Sequence, residues 1–361
     1  IGLILNFFIG IALGANVVIA NAIGQQNEDT IRKAVHTSII MSVIGGILVT
    51  IIGELSIGYL LQMLNVPSDV FPYALLYIRI YLLGMPVILL YNFEAAIFRS
   101  IGETKTPLKA LVVSGILNVL LNMFFVTVLK MTVNGVAIAT VIANVVSSML
   151  LFVKLYKTDS VIRISKDDFK FSKKIFRKII RIGLPAGIQT AVFAFANIVI
   201  QSSINSLGTV VIAASSAAFN IEIFAYDILN SFSQACTTFT GQNYGAGQLK
   251  QCRKILFLCI IEDAIATLCA IILVLISGKV LLSIFNNDPQ VIKIGYTRLL
   301  MVFSAYTFSM LYENMSGYLR GFGISLVPAV LTIIGVCGTR IAWVYAVFPM
   351  HRTFRTIMMV Y

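Results

Sequence analysis

Charge is what this chain has least of. Asp, Glu, Lys and Arg make up 12% of its 361 residues, against 58% hydrophobic ones, where a soluble globular domain carries about 25% charged residues. That excludes an ordinary water-soluble fold. Histidine is nearly absent, and His36 and His351 share no metal-ligand spacing, so nothing in the sequence points to a zinc site. The five cysteines (Cys236, Cys252, Cys259, Cys269, Cys337) form no C-x-x-C pair and read as small buried side chains. No G-x-x-x-x-G-K-[ST] stretch is present, which removes an ATP-driven route. Short alternating strands are missing too, so the chain is not a β-barrel. No clustered histidines or paired acids on adjacent segments suggest a membrane-embedded enzyme.

What is present is a series of long apolar runs. A spanning helix needs roughly 20 mostly apolar residues, and ten such stretches are expected, at about 1–23, 34–63, 72–98, 107–129, 134–156, 182–206, 209–240, 254–285, 292–319 and 328–349. The expectation is an all-α polytopic membrane protein. Ile1 already lies in an apolar run with no charged segment or cleavage site before it, and "HRTFRTIMMVY" reads as a turn followed by the start of another span. The chain is therefore expected to be a fragment lacking a first helix and most of a last one.

The net charge of +12 is unevenly spread. Ten of the 27 Lys and Arg residues fall between Lys154 and Arg181, where "KDDFKFSKKIFRKIIRIG" mixes cations with Phe and Ile at helical spacing. A basic amphipathic helix between two spans fits anionic lipid headgroups better than nucleic acid. Alternate connections are basic, near Arg32, near Arg99 and Lys105, over 154–181, near Lys250 and at Arg320; together they hold 19 of the 27 cations. By the positive-inside rule these connections face the cytoplasm.

A repeat runs through this pattern at a constant offset of 221 residues. "RSIGETKTP" at Arg99–Pro107 returns as "RGFGISLVP" at Arg320–Pro328. Gly24 matches Gly245, Arg32 and Lys33 match Arg253 and Lys254, and Leu60, Leu61 and Asn65 match Leu281, Leu282 and Asn286. Tyr91 matches Tyr312. Both nonapeptides lie on cytoplasmic connections, so the halves are expected to be parallel six-helix repeats, twelve helices in all with about ten here. In each turn Arg99 or Arg320 anchors at the headgroups, Gly102 or Gly323 ends one helix, and Pro107 or Pro328 starts the next. The expected lobes are 1–156 and 181–361, joined by a basic cytoplasmic linker helix over 157–180.

The chain resembles the multidrug and toxin extrusion (MATE) family. The residues that carry the likeness are "LGANVVIANAIGQQNEDTIRKAVHTS" (13–38), "FRSIGETKTPLKA" (98–110), "IGLPAGIQ" (182–189), "TTFTGQNYGAGQLKQCRKI" (237–255) and "YLRGFG" (318–323). Gly241, Gln242, Asn243, Gly245 and Gly247 belong to the more specific of these. The resemblance implies a two-lobed secondary transporter with a central cavity, exporting organic, often cationic or amphipathic compounds against Na⁺ or H⁺ by alternating access. It implies no cofactor beyond that coupling ion, no nucleic-acid partner, a lipid environment, a monomer, and a bacterial inner-membrane location. A lipid or lipid-linked oligosaccharide flippase of the same superfamily is the alternative, and the few intramembrane cations disfavour it.

Polar groups inside the spans are costly and point to function. Asn118 and Asn122 lie four apart on one helix face, with Thr140 on the next span. Their oxygens suit a small hard cation, although Asn pairs also join helices by hydrogen bonds. In the resembled family an N-x-x-x-D pair, a Thr on the following helix and an Asp on the first helix form a cation site. Here Asn122 stands in place of the Asp, and the first-helix position falls before Ile1. In the second half Glu222, Asp227, Asp263 and Glu313 are candidates for ion coupling, or else for salt bridges to Arg79, Lys279, Arg298 or Arg340. Glu94 is of the same kind. Gln189, Asn197 and Gln201 share a helix face and, with Tyr91 and Tyr312, are candidates to line a substrate cavity. Pro185 is expected early in its helix.

Overall fold

The computed structural model describes residues 2–63, 66–165 and 170–360, and among these every regular element is helical. Two compact units emerge, Leu3–Leu184 and Pro185–Tyr361. The first contains α1 (Gly2–Gly24), α2 (Glu28–Met63), α3 (Phe71–Leu83), α4 (Met85–Ser100), α5 (Lys105–Met123) with a π-helical extension Phe124–Val128, and α6 (Val133–Lys157). α7 (Lys173–Asn205) straddles the seam. The second unit continues with α8 (Thr209–Gly245), α9 (Leu249–Phe285), α10 (Pro289–Gly321), α11 (Leu326–Leu331), a π-helical stretch Thr332–Gly338, α12 (Thr339–Ala346) and the short α13 (Phe354–Met358).

Eight of the described helices are long and apolar enough to cross a membrane, and α3 with α4, bent by 48°, make a ninth. Gly84 marks that bend, followed by Pro86 near the start of α4. α10 supplies the tenth expected span by its 33 residues, but it is too polar to qualify by composition. Its Arg298, Glu313, Asn314 and Arg320 are all buried, so its polar groups face protein instead of lipid. The lipid-facing surfaces show the opposite pattern. Along α9, Ile265, Leu273, Ile276 and Ile284 stand 61 to 82% exposed, as apolar side chains in hydrocarbon should.

Helices inside each unit approach closely where side chains vanish. A Cβ on Gly183 would lie 2.7 Å from the Ile11 Cα, and one on Gly14 would lie 2.7 Å from the Gly183 backbone nitrogen. α1 and the first part of α7 thus touch backbone to backbone, the small-residue contact that lets membrane helices gain dispersion energy. A Cβ on Gly46 would collide with the Pro86 backbone, which seats α2 against α4 in the same way.

The duplication is legible in the helix ends. α1 and α8 stop at Gly24 and Gly245, α2 and α9 start at Glu28 and Leu249, α4 and α10 stop at Ser100 and Gly321, and α5 and α11 start at Lys105 and Leu326. Each pair keeps the offset of 221, and the turns agree in detail. Gly102 and Gly323 have φ of 80° and 81°, and Glu103 and Ile324 donate their N–H groups to the carbonyls of Phe98 and Leu319 at 3.1 and 3.0 Å. Gln26 (φ 52°) stands where the second half has Gly247 (φ 74°), and the following N–H groups of Asn27 and Gln248 reach Ala22 and Asn243 at 3.1 and 2.8 Å. These are the left-handed residue and the six-residue closing bond of a Schellman helix end. Asn65, matched with Asn286 in the sequence, lies outside the described residues.

Two expectations need correction. No separate linker helix fills 157–180. α6 ends at Lys157, the chain from Thr158 to Ser165 is not helical, 166–169 lie outside the described residues, and the cations from Lys173 to Arg181 form the first turns of α7 itself. The connection is docked and not free: Ile162 and Ile164 are buried, the Ser165 N–H donates to Nε2 of His36 at 3.2 Å, and the Ser172 N–H donates to the Thr37 hydroxyl at 3.2 Å. Because α7 starts earlier than its apolar content suggests, Pro185 lies in its interior. There it leaves the Arg181 carbonyl without its helical donor.

Candidate functional site

The three residues marked as a cation site in the first unit are brought together. α5 and α6 pack side by side. Asn122 Nδ2 donates to Asn118 Oδ1 at 3.0 Å, Asn118 Nδ2 reaches Thr140 Oγ1 at 3.4 Å, and the Thr140 hydroxyl donates to the Val136 carbonyl at 2.9 Å. Asn122 Oδ1 is buried and accepts nothing. Two amide oxygens and a hydroxyl oxygen therefore gather on one polar spot of an apolar helix pair, a donor set suited to a hard cation and carrying no charge. Tyr91 lies apart from it, its hydroxyl directed at the Pro107 carbonyl at 3.5 Å.

The second unit distributes its acids differently. Glu222 of α8 takes a two-point ion pair from Arg298 of α10, with Nε to Oε1 at 2.6 Å and Nη2 to Oε2 at 2.8 Å. Arg298 also bonds the Ser215 hydroxyl and lies over the Phe219 ring. This is the salt-bridge alternative for Glu222. Asp263 of α9 is fully buried and accepts from Thr267 Oγ1 at 2.7 Å and Asn314 Nδ2 at 2.5 Å. Glu313 accepts from the Tyr312 hydroxyl at 2.9 Å. Asp227 is exposed, five residues and a different helix face away from Glu222.

Gln189 is a junction. Its Oε1 accepts from Arg320 Nη2 at 2.9 Å, and its Nε2 donates to Thr332 Oγ1 at 2.9 Å in the π-helical stretch. Two turns further along α7, Asn197 Oδ1 accepts from Arg340 Nη1 at 3.2 Å, and the same guanidinium lies 4.9 Å from the Phe193 ring centre. Among the described residues Gln201 bonds Asn205 on its own helix, at 2.9 Å. Gln189, Asn197, Arg320, Thr332 and Arg340 thus form a polar strip joining α7, α10 and the α11–α12 segment, while Gln201 stands outside it.

Gly102 and Gly323 lie in the turns after their helices, but Arg320, expected at the headgroups, is buried and bonded to Gln189. Pro107 and Pro328 are each third in their helices, where a missing N–H breaks no helical bond. Gly241 is buried, Gln242 and Asn243 complete the last turns of α8, and Asn243 Nδ2 bonds the Phe239 carbonyl at 2.9 Å. Sequence reasoning missed Ser148, Asn314 and Thr332 as partners of Glu94, Asp263 and Gln189. Only Asn314, next to Glu313 in "YENMSG", offered a signal; isolated hydroxyls in spans offer none.

A family model described as MatE matches residues 1–124 and 185–346. The chain belongs to the MatE family. The Bacillus subtilis "Probable multidrug resistance protein YoeA" is 25% identical over 348 residues, covering 94% of this chain and 75% of that protein. The Thermotoga maritima "Probable multidrug resistance protein NorM" is also 25% identical over 348 residues, covering 92% and 72%. The solved outward-facing conformation of a multidrug resistance MATE family transporter matches with TM-score 0.90 at 22% identity, over 99% of this chain and 80% of that one. That structural likeness shows the fold. This MatE protein is an all-α, multi-pass membrane transporter, and its bacterial relatives place it in the cell membrane.

Proposed function

We propose that this MatE protein exports organic, often cationic or amphipathic compounds in exchange for Na⁺ or H⁺ by alternating access. The observation that carries this reading is the convergence of Asn118, Asn122 and Thr140 on a half-buried polar spot within an apolar helix pair, with Asn122 Oδ1 itself buried. Membrane helices place amide and hydroxyl oxygens in such spots where an ion passes or helices must be joined, and the unengaged Oδ1 of Asn122 favours the ion. The multidrug relatives support organic cargo. The helix ends that recur at the 221-residue offset support a two-repeat architecture of the kind alternating access uses. The polar strip of Gln189, Asn197, Arg320 and Arg340, flanked by Phe193 and Tyr312, offers cargo hydrogen bonds beside aromatic faces. No observation favours the flippase alternative, since Arg298, Arg320 and Arg340 are each engaged by protein groups.

The test is transport by the full-length protein in liposomes loaded with a fluorescent organic cation. Export is expected when an inward Na⁺ or H⁺ gradient is imposed, each applied separately. Equal flux with both gradients collapsed refutes antiport.

A further inference from the structure

Glu94 sits in the interior of the first unit and has no part in the Asn118–Asn122–Thr140 cluster. It is fully buried on α4. Its Oε2 accepts one hydrogen bond, from the Ser148 hydroxyl of α6 at 2.9 Å, and its Oε1 is buried with no partner. No salt bridge reaches it among the described residues.

The helices around it explain why. α1 has no ionisable side chain. On α2, Arg32 and Lys33 face Glu28 and Asp29 at the exposed end, Glu54 faces Arg79 of α3, and the imidazole of His36 faces Ser165. α2 and α3 otherwise carry only tyrosines (Tyr59, Tyr73, Tyr77, Tyr81). α5 carries Lys105 and Lys109 in its first turns, α6 carries Lys154, Tyr156 and Lys157 near its end, and α4 itself has Tyr91 and Arg99. None bonds Glu94.

A fully buried carboxyl with one hydroxyl donor and no cation bonded to it among the described residues has no counter-charge for its ionised form, which water or a cation would have to supply. The close approach of Gly46 to Pro86 fixes the antiparallel register of α2 and α4. Counting along both helices from that contact carries Ser38 to the level of Glu94, with Ser42 one turn away. Both hydroxyls are buried and donate to their own helix, to Ala34 and Ile39, as Ser147 does to Asn144. Glu94 is thus a buried carboxyl bonded to one serine hydroxyl, with two more serines at or one turn from its level on the neighbouring helix and no fixed charge bonded to it among the described residues.

We propose that Glu94 is a proton-carrying site of the first unit, at which the carboxylic O–H is kept while that site is dry and breaks, its proton passing to water, when the site opens. This rests on the exporter reading and names H⁺ as an ion that drives it. It also explains how a cluster made only of neutral groups at Asn118, Asn122 and Thr140 can work beside a proton gradient, since the titrating group is elsewhere.

The experiment pairs two readouts on the full-length protein in liposomes: export of the fluorescent cation under a pH gradient alone and a Na⁺ gradient alone, and infrared difference spectra between acid and alkaline buffer. E94Q keeps the shape and still accepts from Ser148. Expected are loss of pH-driven export and loss of one carboxylic C=O band in E94Q, with E94D retaining both in shifted form. Wild-type export under a pH gradient that E94Q leaves unchanged overturns the proposal, as does a difference spectrum that E94Q does not alter. If E94Q fails to fold, S148A keeps the carboxyl and is expected to shift the same band; an unshifted band overturns it. Wild-type export under neither gradient, with the band still lost in E94Q, would refute the exporter reading and leave the proton site standing.

Discussion

Arg298 grips both carboxylate oxygens of Glu222 at 2.6 and 2.8 Å, with 3% and 6% of the two side chains exposed. Removing one member of a buried pair strands the other charge, which costs about 3–5 kcal/mol. Arg298→Ala and Glu222→Ala are each expected to lower the thermal unfolding temperature sharply in detergent. The double variant Glu222→Met with Arg298→Met is expected to recover most of that loss, because no charge is left behind. A double variant as unstable as either single one would mean the pair's packing matters more than its charge.

The turn at Gln26 invites a gain. A side chain in the left-handed region costs about 1–2 kcal/mol relative to glycine, and Gln26 adopts φ 52° where its counterpart Gly247 adopts 74°. Gln26→Gly is expected to stabilise the protein by about 1 kcal/mol, partly offset by the wider freedom of glycine in the unfolded chain. Gly247→Ala is expected to cost a similar amount. Equilibrium unfolding of the two variants checks both signs.

Asn122→Asp adds a charge to a cluster that has none. It is expected to tighten Na⁺ binding by roughly tenfold, or about 1.4 kcal/mol, while Asn118→Ala and Thr140→Ala weaken it. The stabilisation of each variant by increasing NaCl, corrected with choline chloride, reads the change.

Gly46 leaves no space for a side chain against the Pro86 backbone. Gly46→Ala is expected to destabilise the first unit by about 1–3 kcal/mol through overpacking. Gly58, with open space around it, serves as the control: Gly58→Ala is expected to be neutral or mildly stabilising.

His36 holds the docked connection through its Nε2 and the Ser165 N–H. His36→Ala is expected to speed hydrogen exchange across Thr158–Ser165, by about the worth of one net hydrogen bond near 1 kcal/mol, with exchange in α9 unchanged.

Most of the fold could be read from the sequence because its signals are local. Apolar runs gave the spans, alternating cations gave the connections, and Arg99, Gly102 and Pro107 recurring at Arg320, Gly323 and Pro328 gave the repeat. The misplaced start of α7 has a physical cause: Lys173 to Arg181 are too basic to look like a span, yet a helix continues through any residue with helical backbone preference once apolar packing holds it. α10 was legible as a span by length, since protein and not lipid surrounds its polar face. The site was legible in part. Asn118 and Asn122 declared their shared face by a spacing of four, and Thr140 followed from the family likeness. Glu222 could not be told from a coupling acid until Arg298 was found on it. The lone hydroxyls of Ser148 and Thr332 carry no pattern, so their partnerships with Glu94 and Gln189 belong to tertiary structure alone.

The paired helix ends have a practical meaning for anyone rebuilding the molecule. From Ala20 to Asp29 the backbone follows the same closing bonds as from Gly241 to Lys250, so each decapeptide is a ready graft for the other. Exchanging them would leave two turns of one make, differing only in the side chains they display.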